Sequence, residues 1–155
     1  MLEIWGRRSS SNVQALMWCV GELGLEHTRH DAGFIYGVTD TEDFAAMNPN
    51  RTVPVLRDDG GAPLWETGAV LRYLAEVDGS VSFWPKNPKQ RAEVDKWAEW
   101  AKINVALGFT GQVFWRVVRT PEDERDANAI AAALRALEAK LAIADDRLQT
   151  RDWLA

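Results

Sequence analysis

The hydrophobic and polar positions along the first half of the chain change period several times. The apolar run Leu2–Trp5 has the length of a buried strand. From Asn12 to Leu23, apolar residues return every three or four positions, which is the spacing of one face of a helix. Two later apolar runs flank Asp58-Asp59-Gly60-Gly61, a sequence typical of an antiparallel hairpin turn. In chain order the pattern predicts strand, helix, strand, helix, strand, strand and helix. The second strand is predicted at 26–32, the second helix at 40–48 and the third helix at 66–77.

The second half of the chain has helical periodicity throughout. Glycine, serine and two prolines between residues 78 and 88 mark a linker, which we place at 79–88. Amphipathic helices are predicted from Lys89 to about Val118 and around 130–148, packed as an antiparallel pair. The predicted fold class is therefore α/β plus all-α, with one domain at 1–78 and the beginning of a helical domain at 89–155.

The composition indicates a globular protein. Of the 155 residues, 46% are hydrophobic and 26% are charged, so the chain can form a core. The formal net charge is −5, and acidic and basic residues are interspersed. The chain therefore lacks the basic patch that nucleic-acid binding requires. The chain has no apolar run of about 18 residues and no signal-peptide pattern at its start. We therefore predict a cytoplasmic protein that binds neither nucleic acid nor membranes.

Cysteine and histidine are too scarce for disulfide or metal chemistry. Cys19 is the only cysteine, so the chain can form neither an internal disulfide nor a CxxC redox pair. The two histidines, His27 and His30, cannot make a metal site alone, and we predict none. Cys19 lies among apolar residues of the first predicted helix, which favours a buried, unreactive thiol.

Four consecutive polar residues stand where the first helix begins. They are Ser9, Ser10, Ser11 and Asn12. The N–H groups and dipole of a helix N-terminus favour an anion, including a thiolate, and serine hydroxyls can donate to the same anion. The alternative is that one serine caps the helix and the others are solvated loop residues.

A Val-Pro sequence precedes the third strand. Pro54 cannot donate a sheet hydrogen bond, and the bond before proline is the one where a cis peptide is cheap, at about 0.5–1 kcal/mol. A cis bond would turn Val53 outward, so that its backbone could pair with an extended peptide ligand. A trans proline at the start of an edge strand is the simpler alternative.

The third helix begins with Glu66 and Thr67. Residues of these types in a first turn can cap a helix and complement its dipole without any further role. A helix N-terminus can also hold a ligand carboxylate, and Glu66 could pair with a ligand ammonium group.

The order of these features resembles the cytosolic glutathione transferase family. The shared order is a strand leading into a hydroxyl-rich helix start, a Val-Pro before a hairpin, a Glu-Thr helix start and then helices, including the sequence at 91–100. The resemblance covers essentially the whole chain and is with bacterial, serine-type and theta-like members. It implies a thioredoxin-like domain that binds glutathione as co-substrate, followed by a helical domain that covers it.

The resemblance also implies site residues. Pro54 matches the family's cis-proline and Val53 the residue whose backbone pairs with the cysteinyl part of glutathione. Glu66 and Thr67 match the acidic and hydroxyl pair that binds the γ-glutamyl end. Ser10 ranks first as the catalytic hydroxyl that activates the thiol. Asn12 ranks next, closely followed by Ser9 and Ser11, because loop length can shift the match by one residue.

Two departures from the family pattern concern binding and length. Relatives often have Asn-Gly-Lys before the Val-Pro, whereas this chain has Asn50-Arg51-Thr52. We therefore expect the basic contact to a glutathione carboxylate to be lost or moved to Arg51, with Thr52 in the position of the lysine. Relatives also continue beyond the position of Ala155, so we expect an incomplete helical domain.

The helical domain offers only weak candidates for the electrophile pocket. Trp97 and Trp100 share one helix face, which is more typical of core positions, and Asn104 and Leu107 continue that face as the predicted pocket residues. Phe114 and Trp115 are similar candidates.

The predicted reaction is conjugation of the glutathione thiolate to a small electrophile. Glutathione-dependent reduction of peroxides or disulfides is the enzymatic alternative, and a non-catalytic glutathione-transferase-like binding protein is the other. The resemblance further implies a homodimer and a role in detoxification.

Overall fold

The computed structural model describes residues 1–155, which divide into two compact units, Met1–Pro85 and Lys86–Ala155. The division falls inside the segment 79–88 that the composition marks as a linker. No helix in either unit combines the length and the apolar character needed to cross a membrane.

The first unit is built on a four-stranded mixed sheet. The strands lie in the order β2-β1-β3-β4, where β1 pairs parallel with β2 and antiparallel with β3, and β3 pairs antiparallel with β4. Three helices connect them, and all seven elements occur in the predicted order. Their bounds are β1 (Leu2–Trp5), α1 (Ser11–Glu22), β2 (His27–His30), α2 (Glu42–Met47), β3 (Val55–Asp58), β4 (Leu64–Trp65) and α3 (Thr67–Val77). This is the thioredoxin-like arrangement that the resemblance implies.

The alternation of side chains along the strands gives the sheet two apolar faces. Leu2 and Ile4 of β1 point to the same face and pack with α1 and α3. The opposite face carries Val55 and is covered by Phe44 of α2. Both cores hold large side chains with almost no solvent exposure, which fixes α1 and α3 on one side of the sheet and α2 on the other.

Cys19 lies inside the first of these cores. Burial raises the pKa of its thiol, and the negative charge of Asp78 adds to the shift. The interpretation of Cys19 as a buried thiol is therefore confirmed, and its raised pKa disfavours the reactive thiolate at neutral pH.

The second unit contains two long helical segments. Helix α4 (Pro88–Trp100) is capped by the Asn87 side chain and has proline at its first position, as helix starts favour. The helix continues in wider, π-type turns at Ala101–Ala106 and Thr110–Arg119, which flank the short α5 (Leu107–Phe109). Helix α6 (Ala127–Leu148) follows, with its first turn capped by Asp126. Both long helical segments were predicted, but periodicity did not reveal the wider turns.

Glu93 connects α4 to α6 within the second unit. Its carboxylate accepts hydrogen bonds from Arg147 Nη2 at 2.9 Å and from Lys96 Nζ at 2.6 Å. The Arg147 guanidinium also lies 4.7 Å from the centre of the Trp97 ring. The hydrogen bond from Lys96 lowers the pKa of the Glu93 carboxyl, against a smaller opposing effect of desolvation.

We expect Glu93→Gln to lower the melting temperature at pH 7 by about 2 °C, the scale of a partly exposed ion pair. Because the carboxyl pKa is lowered on folding, the stabilisation is complete above its ordinary value of 4.5. It disappears as the pH falls through the lowered value. Thermal denaturation at pH 7 and pH 3.5 measures both effects, with Glu138→Gln on exposed α6 surface as the matched control. A difference that stays constant with pH would contradict this account.

Candidate functional site

Ser10 occupies the N-cap position of α1 with an extended backbone, at φ −87° and ψ 123°. Its carbonyl accepts the first helical hydrogen bond, from the Gln14 N–H at 2.9 Å. The residue is only 8% exposed, yet its hydroxyl accepts no capping hydrogen bond from the helix. N-cap serines ordinarily use the hydroxyl in that way. The Ser10 hydroxyl is therefore available to a ligand at a helix start that favours anions.

The three polar neighbours of Ser10 have different surroundings. Ser9 lies in the preceding turn, and Ser11 and Asn12 are the first two helical residues. All three are exposed. Burial thus distinguishes Ser10 from the other candidates, a difference that the sequence pattern does not contain.

The sheet register places the predicted ligand-binding segments at one end of the sheet. Trp5 of β1 is the cross-strand partner of Val55, and Val55 is in turn the partner of Trp65. Because both pairings are antiparallel, the chain after Trp5, the chain before Val55 and the chain after Trp65 emerge together. These three segments contain Ser10, Val53 with Pro54, and Glu66 with Thr67.

The peptide bond between Val53 and Pro54 is cis, the isomer that the resemblance implies. The β3 ladder begins only at Val55, so the backbone of Val53 lies outside it. An extended peptide could pair with Val53 there by strand addition.

Asn48 organises the loop before Pro54, a role that its position at the end of a predicted helix did not reveal. Its side chain is 1% exposed. The amide nitrogen donates to the Thr52 carbonyl at 2.8 Å and to the Thr52 hydroxyl at 3.3 Å, and the amide oxygen accepts from the Asn50 N–H at 3.0 Å. The Asn-Pro-Asn sequence was the available signal, because asparagine side chains bond to nearby backbone in turns.

Arg51 has a positive φ of 53° and a side chain directed to the start of α2. Its guanidinium donates to the Thr41 carbonyl at 3.1 Å and to the Glu42 carboxylate at 2.8 Å. Thr52, in the position of the family's lysine, is exposed and bonded to Asn48. In this structure the Arg51 charge is thus paired with an acidic residue of the chain itself.

The junction of β4 and α3 has an unusual backbone. Glu66 is the N-cap residue at φ 70° and ψ 111°, a conformation that costs a non-glycine residue about 1–3 kcal/mol. Its carbonyl accepts the Val70 N–H at 3.0 Å, so the helix begins directly after it. Thr67, the first helical residue, is 7% exposed. Strain of this kind persists mainly at functional sites, which supports a binding role for the junction.

The second unit contains a cavity of about 430 Å³ between the helical segment 101–119 and α6. Asn104 lines it and also donates a hydrogen bond to the Trp100 carbonyl at 3.2 Å. Leu107 is 59% exposed and does not line this cavity. Of the other candidates, Phe114 is half-buried and Trp115 is exposed.

The chain is similar in sequence to known glutathione S-transferases. Residues 9–77 match the family model for the N-terminal domain of glutathione S-transferases. The chain is 38% identical to glutathione S-transferase GstB of Escherichia coli K12 over 156 aligned residues, covering 100% of this chain and 74% of GstB. It is 30% identical to mouse glutathione S-transferase theta-1, covering 99% of this chain and 65% of that protein.

Solved structures show the same relationship. A theta-class glutathione S-transferase from Xanthomonas axonopodis pv. citri, determined with glutathione bound, superimposes with a TM-score of 0.90 at 42% identity. The alignment covers 99% of this chain and 72% of that one. A glutathione S-transferase from Pseudomonas fluorescens superimposes with a TM-score of 0.85 at 25% identity, over 99% of this chain and 74% of that chain.

Proposed function

The chain belongs to the glutathione S-transferase family, and we propose that it conjugates the thiolate of glutathione to a small electrophile. The observation that carries this proposal is the sheet register, because it brings the Ser10 hydroxyl, the Val53 backbone and the Glu66–Thr67 helix start to one end of the sheet. Each supplies a different contact for one extended, charged thiol peptide.

In the proposed binding mode, the three segments share the parts of glutathione. The backbone of Val53 pairs with the cysteinyl portion, while Thr67 and the N-terminus of α3 bind the carboxylate of the γ-glutamyl end. Glu66 pairs with the γ-glutamyl ammonium group. Arg51 and Thr52 belong to the loop before Pro54, whose backbone the Asn48 side chain holds in place. This assigns the first unit to glutathione. Of the two residues predicted for the electrophile pocket, Asn104 lines a cavity of the second unit and stays a candidate, whereas Leu107 lies outside that cavity.

The catalytic effect of Ser10 follows from the acidity of a thiol. A free thiol has a pKa of about 8.5, so little of it is thiolate at pH 7. A hydrogen bond to a charged acceptor contributes about 1.5–3 kcal/mol, and one pKa unit corresponds to about 1.36 kcal/mol. Donation from the Ser10 hydroxyl lowers the thiol pKa by about one to two units, and the dipole of α1 lowers it further. The thiolate then becomes the main species near neutral pH.

The chemical step is a nucleophilic substitution when the electrophile carries a halide. The thiol proton leaves to solvent, and the sulfur lone pair attacks the electrophilic carbon. A carbon–sulfur bond forms, the carbon–halogen bond breaks, and the halide departs with the bonding electron pair. The Ser10 hydroxyl remains unmodified and orients the sulfur throughout.

Glutathione binding to the Thr67→Ala variant tests the proposed site. We expect wild type to bind glutathione in the micromolar to millimolar range by calorimetry and Thr67→Ala to bind about tenfold more weakly or worse, since a hydrogen bond to a charged group is lost. Thr67→Ser keeps the hydroxyl and should retain most of the affinity.

The outcomes of this experiment are distinct. Wild-type binding combined with turnover of 1-chloro-2,4-dinitrobenzene supports conjugation. Failure of the folded wild-type chain to bind glutathione would contradict the proposal. Equal affinity of Thr67→Ala and wild type would remove Thr67 from the site.

By analogy with the family, we further propose that the protein works as a two-fold homodimer in the cytoplasm, in detoxification. Light scattering coupled to gel filtration measures the molecular mass and would contradict the dimer if it returned the mass of one chain, 17.4 kDa.

A further inference from the structure

The loop 6–10 connects the end of β1 to the start of α1 and has Ser10 as its last residue. The Ser10 hydroxyl accepts no capping hydrogen bond, so helix capping does not fix its direction. Its position therefore depends on the backbone of the loop and on the groups that hold this backbone. Such control matters because a displacement of about 1 Å can cost about a hundredfold in rate.

Main-chain hydrogen bonds join this loop to the end of β2. The Gly6 N–H donates to the His30 carbonyl at 2.8 Å. The Arg7 N–H donates to the Ala32 carbonyl at 3.1 Å. Within the loop, the Ser10 N–H donates to the Arg7 carbonyl at 3.2 Å. The position of Ser10 is thus linked to the end of β2 through Arg7.

Arg29 of β2 adds a side-chain hydrogen bond to the same loop. Its Nη1 donates to the Gly6 carbonyl at 2.6 Å. The same nitrogen donates to the Asp31 carboxylate, with which Arg29 forms an ion pair. The Arg29 side chain is only 20% exposed, and hydrogen bonds from a charged donor are stronger than those between neutral groups. Both polar backbone groups of Gly6 are therefore held by residues of β2.

We propose that Arg29 is a positioning residue for the Ser10 hydroxyl. It acts through the Gly6 carbonyl, and Asp31 fixes the orientation of the Arg29 guanidinium. This inference rests on the proposed function and adds to it a residue that controls thiolate formation without binding glutathione. Its effect should therefore be on the acidity of the bound thiol, not on the affinity for glutathione in its thiol form.

The pH dependence of kcat/KM for 1-chloro-2,4-dinitrobenzene measures the effect of Arg29→Met, which keeps a long side chain but removes its hydrogen-bond donors. We expect the pKa of the bound glutathione thiol to rise by about half a unit to one unit, because a displaced Ser10 hydroxyl donates less well to the thiolate. At pH 6.5, kcat/KM should fall by about three- to tenfold. Arg29→Lys keeps a cationic donor and should restore most of the wild-type profile.

Calorimetry separates this effect from a loss of binding. At about pH 5.5 the bound thiol is protonated in wild type and in Arg29→Met, so both should bind glutathione with equal affinity.

A double variant tests whether Arg29 acts through Ser10. In Ser10→Ala the hydroxyl is absent, so adding Arg29→Met should cause no further change in the pKa of the bound thiol. A purely structural role of Arg29 would instead lower the free energy of unfolding in both backgrounds and shift the pH profile in neither.

Arg8→Met is the matched control, because it removes the same charge from the same loop. The Arg8 side chain is exposed, and its carbonyl accepts from Gln14 Nε2 at 3.0 Å, a bond that the substitution leaves in place. Its pH profile should match wild type, since exposed charges are screened by salt.

The outcomes separate the positioning role from the proposed function. An unchanged thiol pKa in Arg29→Met, an equal shift in Arg8→Met, or an additive shift in the double variant would overturn the positioning role alone. Failure of the folded wild-type chain to bind glutathione would contradict the proposed function itself.

Discussion

Ser10→Ala is expected to raise the pKa of the bound glutathione thiol by about one to two units, because the thiolate loses a hydrogen-bond donor. At pH 6.5 this change should lower kcat/KM for 1-chloro-2,4-dinitrobenzene by about ten- to a hundredfold, since each pKa unit removes nine tenths of the thiolate. The difference in kcat/KM should shrink as the pH rises above both pKa values, because the bound thiol is then almost fully ionised in wild type and in the variant. The pH dependence of kcat/KM measures the shift.

Protein stability distinguishes this account from simple helix capping. The Ser10 side chain makes no capping hydrogen bond, so Ser10→Ala should change the free energy of unfolding by less than the ~1 kcal/mol that loss of an N-cap costs. Ser11→Ala changes an exposed hydroxyl one residue further and should leave the pH profile as in wild type. An unchanged profile in Ser10→Ala would exclude Ser10, and Asn12→Ala would be the next variant to measure.

Gly6→Ala is expected to destabilise the protein by about 3 kcal/mol, near the upper end for overpacking a core. A Cβ atom on Gly6 would lie 2.4 Å from Cγ2 and 3.3 Å from Cγ1 of Val13, which is fully buried in the first turn of α1. Neither the valine nor the helix can move without disturbing the core. Because that turn follows Ser10 directly, glutathione affinity should fall as well.

The matched control for Gly6→Ala is Gly21→Ala. Gly21 lies within α1, and an added Cβ would meet no atom within 4 Å. Alanine should therefore stabilise the helix there by up to about 1 kcal/mol. Urea denaturation followed by circular dichroism gives both free energies.

A compensating substitution tests the cause of the Gly6 effect. Val13→Ala removes the two methyl groups that the new Cβ would strike, so the double variant should lose less stability than the sum of the single variants. Simple additivity would show that the steric contact with Val13 is not the cause.

The order and type of the elements in the first unit were predictable because each follows from a local cause. The spacing of apolar residues from Asn12 to Leu23 determines α1, and the turn at 58–61 determines the hairpin of β3 and β4. Local sequence determines these elements, since they depend on residues within a few positions of each other. At Val53-Pro54 the local sequence left cis and trans open, and only the resemblance implied the cis bond that the structure has. The positive φ of Glu66 was not predicted.

The sequence could not distinguish the four polar residues at the start of α1. A shift of one position rotates a helical side chain by about 100°, so the choice depends on where the helix begins and what it packs against. Packing of Leu16 against Leu2 and Ile4 of the sheet and the full burial of Val13 set that rotation and place Ser10, rather than a neighbour, in the buried N-cap position.

The sequence alone determined the local elements and the candidate segments, while the tertiary structure decided how they combine. The pairing of Trp5 with Val55 joins positions 50 residues apart along the chain, and the pairing of Val55 with Trp65 adds a third segment 10 residues further on. The burial of Asn48 and the contact of the Arg7 guanidinium with the Phe34 ring are equally non-local. Such contacts depend on packing across the sheet, which no periodicity within a single segment encodes.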